Sequence, residues 1–380
     1  MNRKILMVGE IGHQHLKVFT SYLKQASDYR IYGFDLAPEK SRQQDLDRFY
    51  EQHFSFNRCN FRFPLIRAFI NYLRCIWAFR RLKKEECIVQ FHFISRYTLP
   101  LQLISKLKGY KISSFVYGSD YMRSGKIKKY YLSFVFRLSD SIVCDSLHMK
   151  KQMINDYPFI KTKTDKLNFG SQIIDCLYEA KQNPEKAREK IHVPSSVKYV
   201  VMCGYNASAG QNHKEIIRLI PSFGKDILWI FPMTYNGNGD YIREMENLLR
   251  ETQCNYRLLT DFIPDSDWTD LITATDIFIH IQISDAFSSS LAEHLLAGNV
   301  VINGEWLKYD ELEEENIFYL PTSLEKLKFN IHYSIENYAS LHALCSSNKE
   351  KIRQLKSWKV NIAKWVNYFG KLEKHEKSTF

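Results

Sequence analysis

At 380 residues the chain is too long for one ordinary hydrophobic core and predicts two domains of roughly 150 to 200 residues each. Hydrophobic residues at 45% and aromatics at 14% exclude a disordered chain. The most apolar region, 65–79, is interrupted by Arg67, Asn71 and Arg74, which excludes a membrane span, and a formal net charge of +11 calls for an anionic partner: phosphate, anionic lipid or nucleic acid.

The first predicted element is a strand over residues 4–8; its apolar run is too short for the core of a signal peptide and ends at Gly9. Gly12, His13 and His15 follow in the first strand-to-helix loop, where polar side chains are candidate acceptor contacts. A second strand is predicted at 30–34. Residues 57–84 then hold Arg58, Arg62, Arg67, Arg74, Arg80, Arg81, Lys83 and Lys84 and no acid, interleaved with Phe61, Phe63, Phe69, Tyr72, Trp77 and Phe79. Such a stretch can lie on an anionic membrane surface. Strands follow at 87–91, 111–116, 141–144 and 165–168. His92 ends the first of these at the edge where parallel sheets bind ligands, and Gly118, Ser119 and Asp120 form the turn after the next.

Periodicity lapses between 178 and 198 in a polar connector with turn residues, which places a domain boundary near 185. A second series begins there, with strands at 198–203, 227–231, 256–259, 276–281, 299–303 and 316–319. The tail, with Trp358, Val360, Ile362, Trp365, Val366 and Phe369, reads as one or two amphipathic helices. Strands alternating with helices through the whole chain predict an α/β fold of two doubly wound, parallel-sheet domains, 1–185 and 186–355, followed by a helical tail at 356–380 that can pack across both. Eight cysteines stand singly without zinc-ligand spacing, as expected of reduced thiols in a cytoplasmic protein. Asp265-Ser266-Asp267 precedes a helix and reads as its cap, so no metal and no cofactor are expected.

The segment 285–304 carries the most information. An apolar strand leads through Asp285 and Phe287 to Ser288, Ser289 and Ser290 at a helix start; Glu293 lies inside that helix, and Gly298 closes it before another strand. Helix-start amides flanked by small hydroxyl residues can bind phosphate. An acid, seven residues and a glutamate before this tail resembles the donor-binding region of family-4-like GT-B glycosyltransferases. Ile88 to Phe93 with Gly118-Ser119-Asp120, and Ser139 to Ser146, resemble the acceptor domain of the same group.

The resemblance implies a GT-B fold, two Rossmann-like domains facing a cleft with the C-terminal helix 356–380 returning to the first, and metal-independent transfer of a sugar from a nucleoside-diphosphate sugar to a glycan or polyprenyl-linked acceptor in surface-polysaccharide synthesis. It implies that Asp285 contacts the donor sugar, Phe287 to Ser290 the diphosphate and Glu293 the ribose, with Asp120 and His92 as further catalytic candidates and Gly12, His13, Gly118 and Ser119 on the acceptor side. Asp285 departs from the family's usual glutamate. Where many members carry an Arg and a Lys after the first strand of the second domain, this chain has Gly204, Asn206 and, further on, Lys214, with Arg123 another candidate cation. That Asn- and Ser-rich loop is similar to family-56 transferases of acetamido-dideoxy sugars. Two other readings are a nucleotide-sugar epimerase of the same fold and a nonenzymatic binder of anionic membrane or nucleic acid; under the transferase reading no nucleic-acid partner is expected.

Overall fold

The computed structural model describes residues 3–37, 43–55, 64–80, 82–95, 97–180 and 183–374. The chain divides into two compact units, one of residues 1–170 with 358–380 and the other of residues 171–357.

The first unit is built on a seven-stranded parallel sheet of β1 (Lys4–Gly9), β2 (Arg30–Asp35), β3 (Gln52–Ser55), β4 (Cys87–Phe91), β5 (Lys111–Val116), β6 (Ser141–Cys144) and β7 (Thr164–Lys166), in the order β3-β2-β1-β4-β5-β6-β7. Alternate residues of β1 divide between two cores, as strand geometry requires. Ile5 and Met7 meet the Gln14–Ala26 and Trp358–Lys374 helices, and Leu6 and Val8 meet Phe79, Leu82 and Leu101. Phe19, Phe169, Trp358 and Trp365 form one aromatic cluster in the first of these cores, with Phe19 and Trp358 stacked at 5.3 Å.

The second unit repeats the plan with β8 (Tyr199–Cys203), β9 (Ile227–Pro232), β10 (Tyr256–Leu259), β11 (Ile277–His280), β12 (Val300–Gly304) and β13 (Leu320–Thr322), ordered β10-β9-β8-β11-β12-β13. Both sheets reverse their strand order beside the first strand of the unit, which is where ligands bind in open parallel sheets.

Three expectations are corrected. The units divide at Gly170 and Ser171, not near 185, because Ile173, Ile174 and Leu177 of the Gln172–Glu179 helix enter the core of the second unit. The supposed connector holds a helix, Pro184–Lys190, started by the Asn183 side chain and by proline at its first turn. The last strand is Leu320–Thr322; Pro321 is tolerated there because β13 is an edge strand. Strand β3 was not anticipated, since its four half-buried residues show no alternation. Asp265 and Asp267 lie in the first turn of the Asp265–Ala274 helix, whose cap position is Pro264. No described helix is long and apolar enough to cross a membrane.

Candidate functional site

In the second unit β11 delivers the chain into the loop that ends at Ser288. The Ser288 hydroxyl accepts from Leu291 N at 3.3 Å and so caps the Ser289–Ala297 helix, which Gly298 closes at φ 82°. The amides of Ser289 and Ser290 fall in the first turn, where no intrahelical acceptor exists. The Ser290 hydroxyl is buried without a hydrogen-bond partner among the described residues. Phe287 precedes the cap at φ 74°, a conformation that bulky side chains rarely adopt.

What holds that backbone is Lys356, 1% exposed, whose ammonium donates to Phe287 O at 3.1 Å and sits 4.2 Å from the centroid of the Phe287 ring. Asp285 Oδ2 accepts from Ser288 N and from the Tyr309 hydroxyl, both at 2.8 Å. Glu293 is 4% exposed. Its two oxygens accept from the Ser171 hydroxyl at 2.8 Å and from Trp268 Nε1 at 2.9 Å. Burial raises the Glu293 pKa, while the Trp268 and Ser171 bonds and the field of Lys356 pull it back. Each oxygen keeps a second lone pair for a further donor.

Beside this segment a buried polar chain joins the ends of β8, β11 and β12. Asn303 Oδ1 lies 2.8 Å from His280 Nδ1, His280 Nε2 lies 3.1 Å from the Gln282 amide, and the Gln282 oxygen accepts from Gln211 at 2.9 Å and Tyr205 at 3.2 Å. These contacts put the His280 proton on Nδ1. Burial lowers the pKa of this histidine, against the opposing charge of Asp285 3.8 Å away. Gly204 turns the chain at φ 64°, and a Cβ there would stand 2.9 Å from both Gln211 Oε1 and His213 Nε2. Gly204→Ala is therefore expected to destabilise the protein by about 1–3 kcal/mol, read as a lower urea midpoint, through left-handed strain and displacement of Gln211. Asn206 is buried and accepts from Ser208 N at 2.9 Å. Lys214, expected as a diphosphate cation, instead pairs with Glu244 at 2.5 Å on a partly exposed surface.

In the first unit the other candidates gather at the ends of β1, β4 and β5. His13 caps the Gln14–Ala26 helix, its Nδ1 accepting from His15 N at 3.3 Å; Gly12 precedes it. His92 is enclosed by Phe19, Phe115 and Tyr117, bonded through Nδ1 to the Tyr117 hydroxyl at 3.1 Å, and burial lowers its pKa to about 3. Those surroundings keep the ring neutral, and its Nε2 is buried without a hydrogen-bond partner among the described residues. Asp120 is also buried, its Oδ2 accepting from Tyr117 N and Ile94 N at 3.2 Å, so that it clasps the loops after β4 and β5 together. Burial raises its pKa to about 6 against Lys128 at 3.8 Å. Gly118 and Ser119 open the short turn that carries it, and Ser119 O accepts from Lys128 at 3.3 Å. Among the described residues no three His, Cys, Asp or Glu side chains are placed to hold one metal ion.

No family model matches this sequence, and no curated protein matches it. Solved structures do. A glycosyltransferase from Rickettsia africae superposes with a TM-score of 0.75 over 98% of this chain and 99% of its own, at 15% identity. The HepE protein of Anabaena, solved with UDP and glucose, gives 0.73 over 97% and 100%, at 14% identity. The chain has the GT-B fold. Sucrose-phosphate synthase from Thermosynechococcus elongatus shares it, with a TM-score of 0.73 over 98% and 99% at 11% identity.

Lys356, Trp268 and Tyr309 escaped the sequence reading as site residues. A lysine in Leu355-Lys356-Ser357-Trp358 carries no local sign of burial, although its place beside Leu355 and two residues before Trp358 was the one available hint.

Proposed function

We propose that this chain transfers a sugar from a nucleoside-diphosphate sugar to the hydroxyl of a glycan or polyprenyl-linked acceptor, in the synthesis of a surface polysaccharide. One observation carries the reading: one short segment at a ligand-binding sheet edge holds the first-turn amides of the Ser289–Ala297 helix, the Ser290 hydroxyl, unpartnered among the described residues, and the two carboxylates Asp285 and Glu293, and the Lys356 ammonium is bonded to it at Phe287 O. The UDP-bound state of HepE, a protein of the same fold, supports the choice of a nucleoside diphosphate.

In this reading the leaving diphosphate gains negative charge as the anomeric C–O bond breaks. Helix-start amides and Lys356 oppose that charge without a metal. Asp285, fixed by Ser288 and Tyr309, meets the sugar. Glu293 offers its remaining lone pairs to the ribose hydroxyls, and Gly204 and Asn206 line the neighbouring loop. The acceptor hydroxyl forms the new C–O bond and releases its proton to the departing phosphate oxygen or to water.

The test is a thermal-shift panel of uridine, guanosine and thymidine diphosphate-sugars. One of them at about 100 times its Kd should stabilise the fold by about 2.7 kcal/mol, which is several degrees in Tm, and nucleoside diphosphate should then be released only when acceptor is added. A panel in which no diphosphate-sugar moves Tm refutes the proposal.

A further inference from the structure

The outer side of the first unit carries apolar side chains where a water-facing surface should be polar. On the Pro64–Arg80 helix Ile66, Phe69, Leu73 and Trp77 recur at helical spacing and are exposed, Phe69 by 64%, while Phe79 points into the core. The Lys126–Leu138 helix repeats the pattern with Ile127, 88% exposed, Tyr130 and Phe134, its opposite side burying Leu132, Val135 and Phe136. The Thr98–Leu107 helix packs against both, and its Leu103 and Leu107 are exposed between them. Three adjacent helices thus present one apolar layer.

The charge of that layer selects its occupant. The three helices contain eight Lys and Arg and no Asp or Glu. Lys106 and Lys129 pair with Asp140 and Asp156, and Lys128 stands near Asp120. Arg74, Arg80 and Lys126 have no ion-pair partner among the described residues. A second copy docked face to face would oppose like charges across the interface. A nucleic acid would leave the aliphatic and aromatic stripe in water. An anionic bilayer takes both features, with basic side chains at the headgroups and Phe69, Trp77, Ile127 and Tyr130 in the interface.

We infer that the layer formed by helices Pro64–Arg80, Thr98–Leu107 and Lys126–Leu138 docks this protein on anionic lipid membranes. The basic stretch at 57–84 anticipated the first helix only; residues 56–63 and 81, and the Arg67 side chain, lie outside the described residues. The contribution of the other two helices comes from packing.

Flotation of the full chain with vesicles tests the inference independently of any sugar transfer. Vesicles of phosphatidylglycerol and phosphatidylcholine should bind it at least tenfold more tightly than phosphatidylcholine alone, less so in high salt. Phe69→Ser with Ile127→Ser should weaken binding tenfold or more at unchanged circular dichroism and Tm, because both side chains are exposed. Arg74→Gln, Arg80→Gln and Lys126→Gln together should erase the preference for anionic lipid. Three results would overturn the inference: no flotation, flotation unaffected by the Phe69 and Ile127 changes, or a wild-type dimer that those changes convert to monomer. Tighter binding to single-stranded nucleic acid than to vesicles, lost in the same variants, would give the face to that partner instead.

Discussion

Glu293→Ala is expected to destabilise the second unit by roughly 3–5 kcal/mol, whereas Glu293→Gln should be tolerated within about 1 kcal/mol. The carboxylate is buried, and its removal leaves the Ser171 hydroxyl and the Trp268 indole without this acceptor and takes away a charge that the field of Lys356 favours. Glutamine keeps both bonds, its oxygen accepting from Trp268 and its amide donating to the Ser171 oxygen. The pair of variants separates architecture from ligand binding. Urea unfolding should show a large loss for alanine and a small one for glutamine. The thermal shift given by a nucleoside-diphosphate sugar should still fall for glutamine, since ribose hydroxyls lose a charged acceptor. An alanine variant as stable as wild type would mean that Ser171, Trp268 and Lys356 do not depend on this carboxylate.

That Glu293 would be buried was legible in the sequence, because an acid placed two residues before Leu295-Leu296-Ala297-Gly298 has little access to the surface when apolar strands flank its helix. The same pattern located Ser288 at the helix start and Gly298 at its end, both local signals with local causes. The partners were not legible. Ser171 stands 122 positions from Glu293 and is brought to it by topology, as is Lys356 to Phe287 across 69. Lys214, a candidate cation by its place in sequence, pairs with Glu244, on a helix whose packing the loop does not announce. Most strands were readable from their β-branched runs, but the edge strands β3 and β13 were missed or displaced, since edges need little apolar alternation and accept proline. The units' boundary was misplaced for a related reason. A polar composition at 178–198 hides a short helix whose single buried residue is Ala187 and whose Arg188 is bonded to Asp276.

Acid should unfold the second unit before the first. Burial lowers His294 to a pKa of about 3 and His213 to about 4, and it lowers His280 as well. An unfolded chain takes up these protons near pH 6.5, so the neutral folded forms contribute stability that is present above pH 6.5 and is lost progressively as pH falls toward the folded values. At pH 4.5 His294 and His213 together account for a loss of about 5 kcal/mol, a large part of the stability of a typical domain. Glu293 and Asp276 oppose this, since burial raises both and favours the folded state as they protonate, but two partly compensated carboxyls stand against three histidines. In the first unit the balance is closer. His92, at about 3, loses about 2.7 kcal/mol by pH 4.5, and Asp120, at about 6, returns about 2 kcal/mol through the opposite sign. Hydrogen exchange followed by mass spectrometry at pH 7, 5.5 and 4.5, corrected for intrinsic rates, should show β8 and β11 losing protection while β1 and β4 retain it. His294→Gln should flatten the profile, because the Asn299 amide that now donates to His294 Nδ1 at 2.7 Å can donate to the glutamine oxygen, and no titratable group remains there. Equal loss in both units, or a His294→Gln profile as steep as wild type, would show that the buried imidazoles do not set the acid limit.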